Sequence, residues 1–101
     1  MNKLGLGTVQ FGLDYGVSTS EGRVPSNEVT SILNYASDKR IEMLDTAPSY
    51  GESEKVLGSN LVNNFKIVTK TQNIAAPKVS SSDVKLIDKI FMKSLKNLNI
   101  N

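Results

Sequence analysis

The sequence predicts an α/β fold in which three strands and three helices alternate along the chain, β-α-β-α-β-α. Three short apolar or β-branched runs, at residues 3–8, 41–44 and 66–71, have the length of buried strands. Between and after them lie longer stretches with apolar residues every three to four positions, the spacing of an amphipathic helix. Units of about 30 residues built in this way join parallel strands through right-handed crossovers. No shift in composition divides the chain, so we expect residues 1–101 to form one domain.

Composition restricts the classes of function. The 101 residues are 39% hydrophobic and 22% charged, which is typical of a globular domain, and the net charge of +2 does not indicate a polyanionic partner. There is no cysteine for a disulfide or a thiolate metal site, and no histidine, the commonest metal ligand and general base. No apolar run approaches the roughly 18 residues of a membrane span, and glycines interrupt the N-terminal run where a signal peptide would be apolar. We therefore expect a cytoplasmic protein without a metal, nucleic-acid or membrane partner.

The first strand contains Gly5 and Gly7, positions at which another backbone or a ligand could approach closely. A dinucleotide-binding fingerprint would need a third glycine at position 10, which is Gln10, and a helix directly afterwards. Residues 9–25 are instead broken by glycines and a proline, so we expect a long loop and no Rossmann fold. Tyr15 in this loop could touch a ligand, although packing within a surface loop is the simpler interpretation.

The first helix is expected to begin at Ser26, whose side chain would cap it. Glu28 lies in the first turn, where the helix dipole favours negative charge, and residues 38–40 near the end include two cations. One apolar stripe follows the helical spacing: Val29, Ile32, Leu33 and Ala36.

The second helix should run from about residue 52 to residue 60 or a little beyond. Gly58 inside it costs about 1 kcal/mol relative to alanine, so we expect this glycine to allow close packing on the sheet. Glu54 in the first turn is interpreted as a structural acid that the helix dipole stabilises. Gly51 and Gly58 are interpreted as structural as well.

The third helix should begin near residues 81–83, with Ser82 as its cap. Its apolar residues repeat at three to four positions and should face inward: Val84, Ile87, Phe91, Leu95 and Leu98. A basic row lies on the other side: Lys85, Lys89 and Lys93. The basic row itself contains no aromatic residue, so a solvated outer face explains these lysines better than nucleic-acid binding does.

Polar residues follow the second and third strands. The second apolar run stops at Asp45, and Tyr50 follows five residues later in a turn; the third run leads to Lys70. Because the carboxyl ends of parallel strands meet at one edge of a sheet, these three side chains could converge there. Such a group suggests an acid, the cation that tunes it and an orienting anion. Taken singly, each residue is better explained structurally: Asp45 would accept backbone N–H groups, and Lys70 would be an ordinary exposed lysine.

Four short motifs together resemble the aldo-keto reductases. They are Gly5-Leu6-Gly7-Thr8, Leu44-Asp45-Thr46-Ala47, Tyr50-Gly51-Glu52-Ser53-Glu54 with Leu57-Gly58, and Ile67-Val68-Thr69-Lys70. They span essentially the whole chain in the family's order, and the Asp-Thr-Ala…Tyr-Gly-x-Ser-Glu-x-x-Leu-Gly combination is specific. The resemblance implies the N-terminal part of a (β/α)8 TIM barrel, with residues 1–101 forming its first three βα units.

The family transfers hydride between NADPH and aldehydes or ketones, so the resemblance implies this cofactor and a small carbonyl substrate. It implies that Asp45, Tyr50 and Lys70 are three of the four catalytic residues. Gly7 and Thr8, together with Asp45, would line the nicotinamide side of the site. Lys70 would stabilise the phenolate of Tyr50, and Asp45 would keep Lys70 charged and oriented.

The chain departs from the family in length, because a TIM barrel needs eight strands and about 250 residues. The family histidine, at the end of strand four, would lie beyond Asn101, as would the segments that grip the adenosine end of the cofactor. We therefore expect the chain to be inactive alone, to bind NADPH weakly or not at all, and to self-associate through open sheet edges. Residues expected to face the barrel interior, and so to lose their partners, are Leu4, Leu6, Met43 or Leu44, Ile67 and Thr69.

Two other functions stay open from the sequence. One is a non-catalytic module that keeps the barrel units in order to bind a partner. The other is a different TIM-barrel enzyme, such as a sugar isomerase, although the Tyr-Gly-x-Ser-Glu turn argues against that class.

Overall fold

The computed structural model describes residues 3–14, 22–60 and 62–101. The elements in this part of the chain are β1 (Gly5–Gly7), a 3₁₀ turn (Val9–Phe11), α1 (Ser26–Asp38), β2 (Met43–Asp45), α2 (Ser53–Ser59), β3 (Lys66–Val68) and α3 (Ser81–Leu98). The predicted alternation of strands and helices is confirmed, and each strand is shorter than the apolar run that predicted it. The predicted role of Tyr15 lies outside the described residues.

The three strands form one parallel sheet in the order β1-β2-β3. In its central row Leu6 lies opposite Leu44, which lies opposite Ile67. Leu44 is fully buried, and its two neighbours pack against the same core cluster as the helices. The assignment of Leu6 and Ile67 to a barrel interior is therefore wrong, because strand alternation points this row toward the helices.

The opposite face of the sheet carries the two outer rows, in which Gly5 lies beside Met43 and Gly7 lies beside Asp45. Met43 is 43% exposed, as expected for a side chain on the face without helices. Asp45 owes its position on this open face to the same alternation, since it stands two residues from Met43.

The core lies between the sheet and the helices. Its buried members come from every helix, from β2 and from the loops: Phe11, Val29, Leu33, Leu44, Leu57, Val62 and Leu98. The predicted stripe of α1 is confirmed, with Val29, Leu33 and Ala36 buried and Ile32 packed against the cluster.

The helix caps differ from the prediction at both long helices. Pro25 is the N-cap of α1 and Ser26 is its first residue, without a side-chain cap hydrogen bond, since the fixed φ of proline already suits the entry to the helix. Ser80, and not Ser82, caps α3: its hydroxyl accepts from the backbone N–H of Asp83, whose carboxylate accepts from the Ser80 N–H. This reciprocal capping box requires an acid three residues after the cap, which a cap at Ser82 would lack.

The third helix packs through its C-terminal half. Ser94 and Leu98 are buried, whereas Val84 and Phe91 are 56% and 48% exposed, so the predicted inward face is wrong for these two residues. Gly58 of α2 provides the close contact, because a Cβ there would overlap the carbonyl oxygen of Asn97. The glycine thus allows packing against α3, and not on the sheet as expected.

Among the helices of the described ranges, none combines the length and the hydropathy that crossing a membrane requires.

Candidate functional site

The three side chains predicted from the strand ends lie together. The Lys70 ammonium donates to both carboxylate oxygens of Asp45, at 3.1 and 3.2 Å, and to the carbonyl oxygen of Thr46 at 2.9 Å. The same nitrogen lies 4.9 Å from the centroid of the Tyr50 ring, within the range of a cation–π contact. Asp45, Tyr50 and Lys70 therefore form one cluster with the ammonium at its centre.

The surroundings of Lys70 favour its charged form. Desolvation is the largest single influence and lowers the pKa of Lys70, but hydrogen bonds to Asp45 and Tyr50 and the electrostatic attraction of both outweigh it, so this pKa is raised above 10.5. The side chains of Lys70 and Asp45 are 45% and 46% exposed, so the ion pair contributes little to folding. Its consequence is a permanent cation beside a phenol at neutral pH.

The end of β1 is open beside this cluster. A Cβ built on Gly7 would meet nothing within 4 Å, and Gly7 lies opposite Asp45 in the sheet. Thr8, the next residue, is fully buried, and its hydroxyl donates to the carbonyl oxygen of Asp45 at 2.8 Å. Of this pair, Gly7 borders the open face and Thr8 points into the protein; their contact with a cofactor stays a prediction.

Three buried hydroxyl groups, of which only that of Thr8 belongs to a residue predicted for the site, join the ends of the first two strands. Ser53 Oγ lies 2.9 Å from Thr8 Oγ1 and 2.9 Å from Thr46 Oγ1, and it donates to the Thr8 carbonyl oxygen at 3.0 Å. All three residues are 0% exposed. We call Thr8, Thr46 and Ser53 the hydroxyl cluster. Its signal in the sequence is a hydroxyl residue directly after β1, after β2 and at the start of α2.

A second buried link joins β3 to α2. Glu54 is 3% exposed and accepts a hydrogen bond at 2.8 Å from the hydroxyl of Thr69, which follows β3. This contact agrees with the structural interpretation of Glu54.

The turn that carries Tyr50 is fixed by two glycines in contact. Gly51 has a φ of 57°, which favours glycine, and a Cβ on it would overlap the carbonyl oxygen of Gly12. A Cβ on Gly12 would in turn overlap the carbonyl oxygen of Tyr50. The loop after β1 therefore packs directly on the turn after β2, and sequence reasoning treated Gly12 only as a loop residue.

A cavity of about 430 Å³ lies between α2, the segment after β3 and α3. It is large enough for a small molecule, but its lining includes none of the three clustered side chains. Gln72 and Ser94 line it, and within the described residues their buried side-chain polar atoms have no hydrogen-bond partner. No group of three or more potential metal-ligating side chains occurs in the parts of the chain that the structure covers.

The chain is similar to known proteins in both sequence and fold. The model of the aldo/keto reductase family matches residues 3–101. The crystal structure of a proposed aldo-keto reductase from Pseudomonas aeruginosa is 34% identical, with a TM-score of 0.72, and the match covers 95% of this chain and 38% of that one. A second structure of a proposed aldo-keto reductase from this organism is 30% identical, with a TM-score of 0.70 and coverages of 95% and 36%. No curated protein matches the sequence closely enough to count as a relative.

Proposed function

Because the chain belongs to the aldo-keto reductase family, we propose that Asp45, Tyr50 and Lys70 are part of a site that transfers hydride between NADPH and a small aldehyde or ketone. The observation that carries the proposal is one ammonium, that of Lys70, in contact with both the Asp45 carboxylate and the Tyr50 ring. The chain spans 38% and 36% of the two solved relatives, so the proposal concerns what these three βα units contribute to such a site.

The chemistry assigns the proton to Tyr50. Reduction of a carbonyl forms a C–H bond at carbon and an O–H bond at oxygen, and bound NADPH would supply the hydride. Tyr50 gives its phenolic proton to the carbonyl oxygen as negative charge develops there, and water later returns a proton to the phenolate. An isolated phenol, with a pKa near 10, is a poor donor at pH 7, so a neighbouring cation is needed to stabilise the phenolate.

Lys70 supplies that cation, and Asp45 keeps it in place. The two carboxylate oxygens and the Thr46 carbonyl occupy the donors of the ammonium. The centroid of the Tyr50 ring lies 4.9 Å from the same nitrogen. Because the pKa of Lys70 is raised, the cation persists through the pH range in which a reductase would work.

The residues present fit a nicotinamide cofactor at one point. The open space at Gly7, beside Asp45, leaves room for a flat ring that a side chain at this position would fill. Gly7, Thr8 and Asp45 would border the ring, Thr8 through its backbone because its side chain is buried.

The experiment joins residues 1–101 to the remaining βα units of the 34% identical P. aeruginosa protein and follows NADPH oxidation with small aldehydes. We expect reduction that Tyr50→Phe lowers by about 10²–10⁴-fold in kcat, with NADPH affinity unchanged. Tyr35→Phe, on the exposed surface of α1, is the matched control and should leave kcat unchanged. A Tyr50→Phe chimera within about threefold of its parent would contradict the assignment. A chimera that binds NADPH but reduces no carbonyl would favour a non-catalytic module.

A further inference from the structure

Ser53 is placed where the two strands and the turn of the site meet. As the first residue of α2 it is fully buried, and its hydroxyl reaches both the backbone and the side chain of Thr8 as well as the side chain of Thr46. Its backbone N–H donates to the carbonyl oxygen of Tyr50 at 3.1 Å. One residue therefore contacts the end of β1, the end of β2 and the turn that carries the phenol.

The hydrogen bonds of the hydroxyl cluster have a direction. Each hydroxyl carries one hydrogen. Thr8 donates to the Asp45 carbonyl oxygen at 2.8 Å, and Ser53 donates to the Thr8 carbonyl oxygen at 3.0 Å. Thr46 is then left to donate to Ser53 Oγ at 2.9 Å. These assignments use all three hydrogens, so the 2.9 Å contact between the hydroxyl oxygens of Thr8 and Ser53 carries no hydrogen of its own. The resulting chain has Ser53 as its central link: Ser53 accepts from Thr46 and donates to the backbone carbonyl of Thr8, whose hydroxyl donates to the Asp45 carbonyl oxygen.

This chain fixes the two residues that hold the ammonium. Asp45 is held at its carbonyl oxygen, which accepts from both the backbone N–H and the hydroxyl of Thr8. Thr46 is held at its hydroxyl by Ser53. Lys70 binds the same two residues, through the Asp45 carboxylate and the Thr46 carbonyl oxygen. A shift of either residue would therefore change the contacts of Lys70.

We propose that Ser53 is a positioning residue of the site: its hydroxyl sets the positions of Asp45 and Thr46, and through them the ammonium of Lys70 beside Tyr50. The part that Lys70 takes in hydride transfer rests on the proposed function, but its placement by Ser53 does not. A merely structural hydroxyl would affect folding stability without changing the titration of Lys70.

The test measures the pKa of Lys70 by NMR of labelled lysine side chains in the chimera described above, without cofactor or substrate, with the signal assigned by its loss in Lys70→Arg. In the parent we expect a pKa above the ordinary lysine value, because Asp45 and Tyr50 both face the ammonium. Ser53→Ala should return it toward the ordinary value. Ser59→Ala removes a serine hydroxyl from the same helix, one that is exposed and donates to the Val56 carbonyl oxygen at 2.8 Å, and should leave the pKa unchanged.

Two further variants separate positioning from loss of stability. Leu33→Ala creates a core cavity at a residue of α1 and keeps all three hydroxyl groups of the cluster, so it should lower stability and leave the titration of Lys70 unchanged. Thr46→Val removes one donor of the chain at nearly constant shape, and should move the pKa part of the way even if Ser53→Ala does not fold.

Three results would overturn the inference: a Lys70 pKa at the ordinary value in the parent, an unchanged pKa in folded Ser53→Ala, or an unchanged pKa in folded Thr46→Val. The readout uses neither cofactor nor substrate. If Ser53→Ala changes the pKa of Lys70 but the chimera reduces no carbonyl, the proposed function alone is rejected. An active chimera in which Ser53→Ala leaves the pKa of Lys70 unchanged would reject the positioning role alone.

Discussion

Gly12 contacts the turn of Tyr50 so closely that a single added methyl group should disturb both the fold and the site. A Cβ at this position would overlap the carbonyl oxygen of Tyr50 and the backbone nitrogen of Ser53, and it would lie 2.9 Å from the backbone nitrogen of Glu52. All three are backbone atoms, which cannot rotate away as the end of a flexible side chain could. The loop after β1 and the turn after β2 would have to separate.

The expected cost follows from that geometry. Adding a methyl group to a well-packed site typically costs about 1–3 kcal/mol, and we expect Gly12→Ala near 3 kcal/mol because no side chain can absorb the overlap. Gly7→Ala is the matched control, since its Cβ would meet nothing within 4 Å and its φ is not positive. The control should raise stability by about 0.4–1 kcal/mol, because alanine restricts the unfolded chain more than glycine does.

Urea unfolding of the chimera described above, followed by far-ultraviolet circular dichroism, measures both variants against the unsubstituted chimera. The two free energies of unfolding should move in opposite directions, and Gly12→Ala should have the lower midpoint without a change in slope. Equal stabilities of Gly12→Ala and Gly7→Ala would refute the close contact between the loop and the turn.

Three further predictions follow from the ion pair, the helix cap and the chain as it stands. The raised pKa of Lys70 means that its pair with Asp45 stabilises the fold below the ordinary lysine pKa and is lost as pH rises through the raised value. Because both side chains are exposed, Asp45→Asn should reduce the alkaline fall of the free energy of unfolding, measured in urea, by no more than about 1 kcal/mol. The pKa of Asp83 is lowered by hydrogen bonds from the backbone and side chain of Ser80. The cap of α3 should therefore be fully formed above the ordinary aspartate pKa and be lost as pH falls through the lowered value. Asp83→Asn should remove that acid dependence of the helical circular dichroism. Residues 1–101 alone should show no measurable carbonyl reduction, weak or no NADPH binding by fluorescence, and weak amide protection or self-association; a monomer with slowly exchanging strand amides and micromolar NADPH affinity would contradict this.

The sequence was most informative where one pattern has one structural solution. The apolar stripe of α1 can satisfy only one buried face, and it is buried as predicted. Strand alternation was harder to use, because three-residue strands leave the phase open. Leu44 and Met43 were both possible interior residues, and only the register with Leu6 and Ile67 shows that Leu44 faces the helices.

Some residues of the site could be predicted from the sequence and others could not. Asp45, Tyr50 and Lys70 could be expected to meet because parallel strand ends share an edge, and their side chains do meet. Ser53 and Gly12 could not be recognised in this way, since hydroxyl groups and glycines are common at helix starts and in loops. Ser53 contacts Thr8, 45 positions away, and Gly12 contacts Tyr50, 38 positions away, and no local pattern records such pairing.

The separations along the chain in this cluster bear on how the site forms. Lys70 and Asp45 are 25 positions apart, Thr8 and Asp45 are 37 apart, and Thr8 and Ser53 are 45 apart. Closing the longest of these loops costs only about 0.5 kcal/mol more in chain entropy than closing the shortest. Loop length therefore does not strongly favour forming any one of these contacts first. All three loops close at Asp45 or at its direct partner Thr8. Forming one contact therefore brings the atoms of the others within reach. Pairing of β2 with β3 brings Lys70 to Asp45, and pairing of β1 with β2 adds the hydrogen bonds of Thr8 to Asp45.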